Sequence, residues 1–265
     1  MYNEIIRRLR EIELENDITI IYACESGSRA WGFDNSESDW DVRFIYMRND
    51  PHRYLTLDDS SEILEFMGDR LDFVGWDIRK ALKLHYTSNP NLREWILSPI
   101  VYIDFKENIF EGLPDFDRAT LKFHYTNIAK SNWKRLSQED LQITKRAIKM
   151  FLYNCRCVMA WMVLDEGQNP SINIFDLMNQ VSLDENVVED IATMIADYRN
   201  DSWDETDLQV IDAVRQWMRP NLEIMRRDFP KKDKSKNMET YNRRFFDTVL
   251  PKYDEYCRWS DDDFQ

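Results

Sequence analysis

The stretch Glu25 to Arg48, ESGSRAWGFDNSESDWDVRFIYMR, sets a Gly27-Ser28 turn eleven residues ahead of Asp39 and puts Asp41 just beyond Trp40. Two carboxylates so close cannot both stay ionised cheaply unless a divalent cation or a basic partner neutralises them. A third, Asp72, sits between Leu71 and Phe73 in the apolar run RLDFVG. An aspartate inside a strand is costly to desolvate unless it is paired. Three acidic residues from two strands make an oxygen cage suited to Mg2+ or Mn2+. Two cations held this way clamp the attacking and leaving oxygens of an in-line phosphoryl displacement. Against this stands a plainer reading, in which Asp39 caps the turn after NSES and Asp41 is solvated.

Basic residues are placed to assist. Arg29 follows Ser28 directly and is within reach of a phosphate, and Arg43 shares a strand face with Asp41, where it can neutralise the carboxylates or a nucleotide. Surface or interstrand ion pairs are the structural alternative for both. Lys145, Lys149, Tyr153 and Arg156 recur at helical spacing, so one face can project a basic row toward phosphates or simply be solvated. Trp31 and Trp40 flank the region as base-stacking or core residues, and Glu25 reads as a structural residue at a strand end. His52, His85 and His124 have no nucleophile or metal-ligand partner at a recognised spacing, which leaves a hydrolase triad or a zinc site without support.

The elements that must position these residues are legible from periodicity. Ile5, Ile6, Leu9 and Ile12 predict an amphipathic helix over Tyr2 to Glu15, ended by Asn16 and Asp17. ITIIYACE, Ile18 to Glu25, reads as a buried strand. In DVRFIYM, Val42, Phe44 and Tyr46 face one way and Asp41, Arg43 and Ile45 the other, with Asp39 expected on the face of Asp41. SEILEFM and RLDFVGWDI predict two more strands, the second entering the helix IRKALKLHY through Asp77. Asp77 competes with Asp72 as third carboxylate, but it reads better as that helix's N-cap. From about Asp117 the pattern is helical, in RATLKFHYTNIAKSNWKRL, EDLQITKRAIKMFLYNCRCVMAWMVL and ETDLQVIDAVRQWMRPNLEIMRRDF. The expected architecture is α+β, a catalytic sheet domain over 1–112 followed by a helical domain over 113–265.

Composition bounds the partners. With 43% hydrophobic and 32% charged residues the 265-residue chain is that of a folded protein. A net charge of -14 disfavours long duplex DNA as a partner, so contact with nucleic acid needs a local basic patch. The four cysteines form no CxxC pair, as in a reducing compartment. The N-terminus has no apolar signal core, and no stretch approaches ~18 uncharged apolar residues, which predicts a cytoplasmic protein with no membrane partner.

Taken together, Gly27-Ser28, Asp39-x-Asp41 and the apolar-flanked Asp72 resemble the DNA polymerase β nucleotidyltransferase superfamily. More narrowly, ESGSRAWGFDNSESDWDVRFIY, LDFVGWDIRKALKL, SNPNLREWILSPIVY and KMFLYNCR look like the family of bacterial and phage nucleotidyltransferases proposed to accompany RNA ligases in RNA repair. The resemblance spans Glu25 to Arg156, and the C-terminal helices only loosely. It implies transfer of a nucleoside monophosphate from an NTP, with ATP the expected donor. Asp39 and Asp41 would bind both metals and Asp72 the metal that activates the acceptor hydroxyl. Gly27 and Ser28 would hold the triphosphate, with Arg29, Arg43, Lys149 and Arg156 as further nucleotide-binding residues. An RNA end is the favoured acceptor, and a small molecule or a protein hydroxyl is the alternative. Two rivals remain: a non-catalytic nucleotide-binding or antitoxin-like module, and a phosphodiesterase or nuclease, which has no need of the Gly-Ser turn.

Overall fold

The computed structural model describes residues 1–56, 61–105, 107–138, 140–204, 206–228, 231 and 235–262, with side chains undescribed at 107, 108 and 252–262. In chain order the elements are α1 (Tyr2–Asn16), β1 (Ile18–Glu25), α2 (Gly27–Trp31), β2 (Trp40–Arg48), β3 (Ile63–Met67), β4 (Leu71–Asp77), α3 (Ile78–Tyr86), α4 (Pro90–Ile96), β5 (Val101–Asp104), α5 (Glu107–Phe110), α6 (Arg118–Leu136), α7 (Lys145–Asp165), α8 (Ile174–Gln180), α9 (Glu185–Arg199), α10 (Leu208–Arg227) and α11 (Met238–Asp262). They form two compact units. The first holds Met1–Ser26, Asp39–Phe116 and Lys234–Gln265, the second Gly27–Ser38 and Asp117–Asp233. Both units are discontinuous in sequence, unlike the single cut after residue 112 expected above.

The first unit is built on a five-stranded mixed sheet of order β3-β4-β2-β1-β5. The pair β2–β4 is parallel and the other neighbours are antiparallel. Parallel neighbours need a crossover, and here β3 supplies it by running out to the sheet edge before β4 returns beside β2. The alternation read from DVRFIYM is observed: Val42, Phe44 and Tyr46 join the cluster that buries Ile5, Leu9 and Ile12 of α1, while Ile45 packs with Ala81, Leu92 and Trp95 on the other face. A bulge between Ile20 and Tyr22 in β1 keeps Ile20 and Ala23 on the α1 face and turns Tyr22 and Cys24 to the other. Where β2 and β4 pair, Phe44 lies opposite Gly75 and its ring occupies the space a side chain would need: a Cβ there would meet Phe44 Cε2 at 2.2 Å.

α11 completes this unit. Tyr241 and Val249 bury themselves with Met47, Ile78, Leu82 and Ile109. At this seam His85 is buried, its ring stacked on Phe110 at 5.2 Å and its Nδ1 3.0 Å from the Tyr241 hydroxyl. Burial, with a smaller effect from the Lys236 charge, pushes the imidazole down from 6.5 to about 4. A base whose pKa is depressed by folding stabilises the fold above its unfolded pKa and loses that stability as protons bind. Between pH 6.5 and 4 the wild-type melting temperature is therefore expected to fall. His85 accounts for on the order of 3 kcal/mol of the loss. His85→Gln, which can still reach the Tyr241 hydroxyl, should show a shallower fall over the same window. Parallel melting curves for the two proteins would sink the assignment.

The second unit is helical, with α7 at its centre and Ile148, Phe151, Leu152, Cys155, Val158 and Met159 fully buried. The helix expected from EDLQITK begins later, at Lys145, because the Thr144 side chain accepts the Ala147 N–H and caps it there. α7 is long and apolar enough to cross a membrane, but 78% of its most apolar window is buried inside the protein. Its apolar surface is already satisfied by its neighbours. A mixed sheet with flanking helices and a helical second half is the α+β architecture expected from the sequence.

Candidate active site

The site begins at the end of β1. Glu25 is fully buried and bridges two elements: Oε1 accepts the Asp41 N–H at 2.8 Å and Oε2 the Tyr102 hydroxyl at 2.7 Å. The Ser98 hydroxyl adds a hydrogen bond to the Glu25 carbonyl at 2.6 Å, and the Ser26 N–H donates to the Asp41 carbonyl at 2.8 Å. The strand-end role read for Glu25 is thus a positioning one, because it fixes the backbone from which the Asp41 carboxylate projects.

Asp41 and Asp72 are direct partners in the parallel β2–β4 register. The pleat turns both side chains to the face of Ile45 and Val74. Arg43, two residues along the same face, lies across the pair. Its Nη2 donates to Asp41 Oδ1 at 2.9 Å and Asp72 Oδ2 at 3.2 Å, and its Nη1 to the carbonyls of Val42 and Asp72. Asp72 Oδ1 is buried and accepts no hydrogen bond. Such an orphaned acceptor is uncommon in a folded protein and calls for an unfilled role. A hard oxygen with open lone pairs beside a second carboxylate fits a divalent cation such as Mg2+.

Asp39 stands differently. β2 begins at Trp40, so Asp39 precedes the pleated backbone and is exposed, one residue short of the alternation that sets Asp41 and Arg43 on one face. Among the described residues no three His, Cys, Asp or Glu side chains are already gathered as a cation cage. Two carboxylates are preassembled as register partners, and Asp39 is exposed two residues before Asp41. Asp77 occupies the position expected of an N-cap: it accepts the Arg79 N–H at 2.8 Å and the Tyr54 hydroxyl at 3.1 Å, with Arg48 Nε at 3.7 Å. Burial raises its pKa, opposed by those hydrogen bonds and by Arg48 and Arg79.

The Gly27–Ser38 segment belongs to the helical unit. Gly27 enters α2 at φ +63°, a conformation that favours glycine, and Ser28 behind it is buried. Arg29 closes the segment on itself, with Nη1 on Asp34 at 3.0 Å and Nη2 on the Ser38 carbonyl at 2.7 Å. The face of α7 singled out in the sequence packs on this segment. Tyr153 stacks on Trp31 at 4.8 Å, the Arg156 guanidinium lies 4.7 Å from the Trp31 ring, and Lys145 pairs with Glu37 and Asp201. Arg156 is 1% exposed and its Nε donates to the Ile172 carbonyl, whereas Lys149 on the same face is exposed. Trp31 is therefore a packing residue of the segment.

The region read as SNPNLREWILSPIVY packs as well. Asn89 caps α4, and Trp95 stacks on Trp76 at 3.6 Å. The sequence reading found Glu25 but not the residues that hold it, because Ser98 and Tyr102 lie over seventy residues away and β5 is too short to show a period.

Residues 1–247 match the model of a family described as the RNA repair pathway DNA polymerase beta family. The chain is also 33% identical over 259 residues to a Bacillus subtilis (strain 168) protein described as uncharacterized protein YcgL, covering 94% of this chain and 96% of that protein. A solved structure, that of a nucleotidyltransferase-like protein from Exiguobacterium sibiricum 255-15, aligns over 97% of this chain and 92% of that one at 12% identity. The TM-score of that alignment is 0.31. The family match takes in α6 to α10, beyond the stretch on which the sequence resemblance was strongest. With its in-register aspartate pair on a mixed sheet and a match over almost its whole length, the chain belongs to the RNA repair pathway DNA polymerase beta family.

Proposed function

We propose that this protein is a Mg2+- or Mn2+-dependent nucleotidyltransferase that moves a nucleoside monophosphate from an NTP, ATP first among them, to the hydroxyl of an RNA end. The observation that carries the reading is the Asp41–Asp72 register pair with its orphaned, buried Asp72 Oδ1. The description of the matching family favours RNA as the acceptor. The net charge of -14 limits contact with a polyanion to a short stretch, and a cytoplasmic setting without membrane or long duplex DNA belongs to the same proposal.

Asp41 and Asp72, joined by Asp39, would hold the cation, which supplies polarisation of the phosphoryl oxygens and a lowered pKa at the acceptor hydroxyl. Glu25 orients Asp41 through its backbone N–H, so that the carboxylate stands ready and need not be ordered during turnover. Gly27 and Ser28 take the triphosphate, and exposed Lys149 adds a charge-assisted contact to it. Arg29 and Arg156 serve the nucleotide through the shape of the Gly27–Ser38 segment, which they fasten from within. The acceptor oxygen attacks the α-phosphorus, its proton leaves, and pyrophosphate departs in line.

Incubation with Mg2+, each NTP labelled at the α-phosphate, and RNA with a free end should label the RNA and release pyrophosphate. Label on a protein or a small molecule instead would move the acceptor to that class. Absence of both label and pyrophosphate with every acceptor would overturn the transferase reading.

A further inference from the structure

We infer that Arg43 is an internal counter-ion that occupies the Asp41–Asp72 carboxylates until a metal–nucleotide complex displaces it, so that metal and nucleotide bind together and poorly apart. The inference rests on the reading of this pair as the metal site. The guanidinium is only 16% exposed and is held by four acceptors, two carboxylate oxygens and the carbonyls of Val42 and Asp72. One nitrogen, Nη2, serves both carboxylates, so the same donor neutralises both charges that a cation would need.

A divalent ion arriving alone meets a fixed positive charge and finds one oxygen of each carboxylate, Asp41 Oδ1 and Asp72 Oδ2, already taken by Arg43. To gain Asp41 Oδ1 and Asp72 Oδ2 it must break both ion pairs and leave a partly buried guanidinium uncompensated, which is unfavourable. A nucleotide changes this balance, because its phosphate oxygens can receive the released guanidinium in the forked geometry that arginine favours. Binding free energies are reciprocal, so whatever nucleotide adds to metal affinity, metal adds to nucleotide affinity.

Arg43→Gln removes the charge and leaves a shorter, neutral donor. Mn2+ alone, followed by the electron paramagnetic resonance signal of the free ion, is expected to bind this variant about tenfold more tightly than wild type. The Mn2+ complex of α,β-methylene ATP, followed by calorimetry, is expected to bind it about tenfold more weakly. Arg43→Lys keeps the charge but not the fork, and should lie between the two in both titrations. This second variant carries the test if the glutamine protein does not fold. Opposite signs for the two ligands are the signature, since a residue that only supports the fold moves both affinities the same way. Equal affinities, or shifts in one direction, overturn the counter-ion role while leaving the metal site standing. Failure of every protein to bind Mn2+, with or without nucleotide, overturns both readings.

Discussion

Asp41→Asn is expected to abolish nucleotide transfer, by at least about a thousandfold, while leaving the protein folded. A factor of a thousand corresponds to roughly 4 kcal/mol of transition-state stabilisation, the scale expected when a phosphoryl-transfer site loses an anionic ligand. The amide is isosteric, the Glu25 contact runs to the Asp41 backbone and not to its side chain, and the lost ion pair to Arg43 is partly exposed. Stability should therefore change little. The two candidates for third carboxylate separate in the same assay. Asp72→Asn should also lose transfer at an unchanged melting temperature. Asp77→Asn should keep transfer and change stability instead, because the Asp77 side chain caps α3 and bonds Tyr54. If Asp72→Asn transfers at the wild-type rate, the register pair is not the site.

Gly75→Ala is expected to lower the melting temperature by roughly 6 to 12 °C, the range for a loss of about 3 kcal/mol in a protein of this size. The added methyl would lie 2.2 Å from Phe44 Cε2 and 2.3 Å from Cζ. Phe44 is fully buried opposite Gly75, so the strain falls on the β2–β4 pairing itself. Adding Phe44→Leu should recover part of the loss, a coupling that identifies the clash as the cause. An unchanged melting temperature in Gly75→Ala would contradict the register. Because Phe44 and Gly75 lie three residues along the strands from Asp41 and Asp72, the steric test also checks the alignment that makes those aspartates neighbours.

The parts of this protein that follow local rules were legible. The period of two in β2 placed Asp41 and Arg43 on one face, and the period in α1 found Ile5, Leu9 and Ile12. An aspartate flanked by Leu71 and Phe73 is a discordant residue, and its Oδ1 is buried without a hydrogen bond. What periodicity does not carry is partnership. Nothing local to Gly27–Ser38 says that Trp31 will stack on Tyr153, more than a hundred residues on, and so place that segment with the helices. Sequence order groups α11 with the helices before it, yet Tyr241, Phe245 and Val249 define a stripe that packs with Met47, Ile78, Leu82 and Ile109. The stripe is visible in the sequence and its destination is not. Asp39 lies just outside β2, since strand ends are decided by where pairing starts and Trp40 is the first residue of β2 to find a register partner in β4.

The place of α11 bears on how the polypeptide matures. Domains generally fold as units in the order the ribosome delivers them. Here the sheet emerges first, but Met47, Ile78, Leu82 and Ile109 are only partly covered, by Ile21, Tyr54, Tyr86 and Phe110, until a helix made after the whole of α6 to α10 comes back to them. The helical unit has all its own elements by residue 233 and so can close while the earlier one still waits. A nascent chain stalled before α11 would carry finished helices and an open apolar face on the sheet, a vulnerable target for proteases and chaperones until Tyr241 and Val249 arrive.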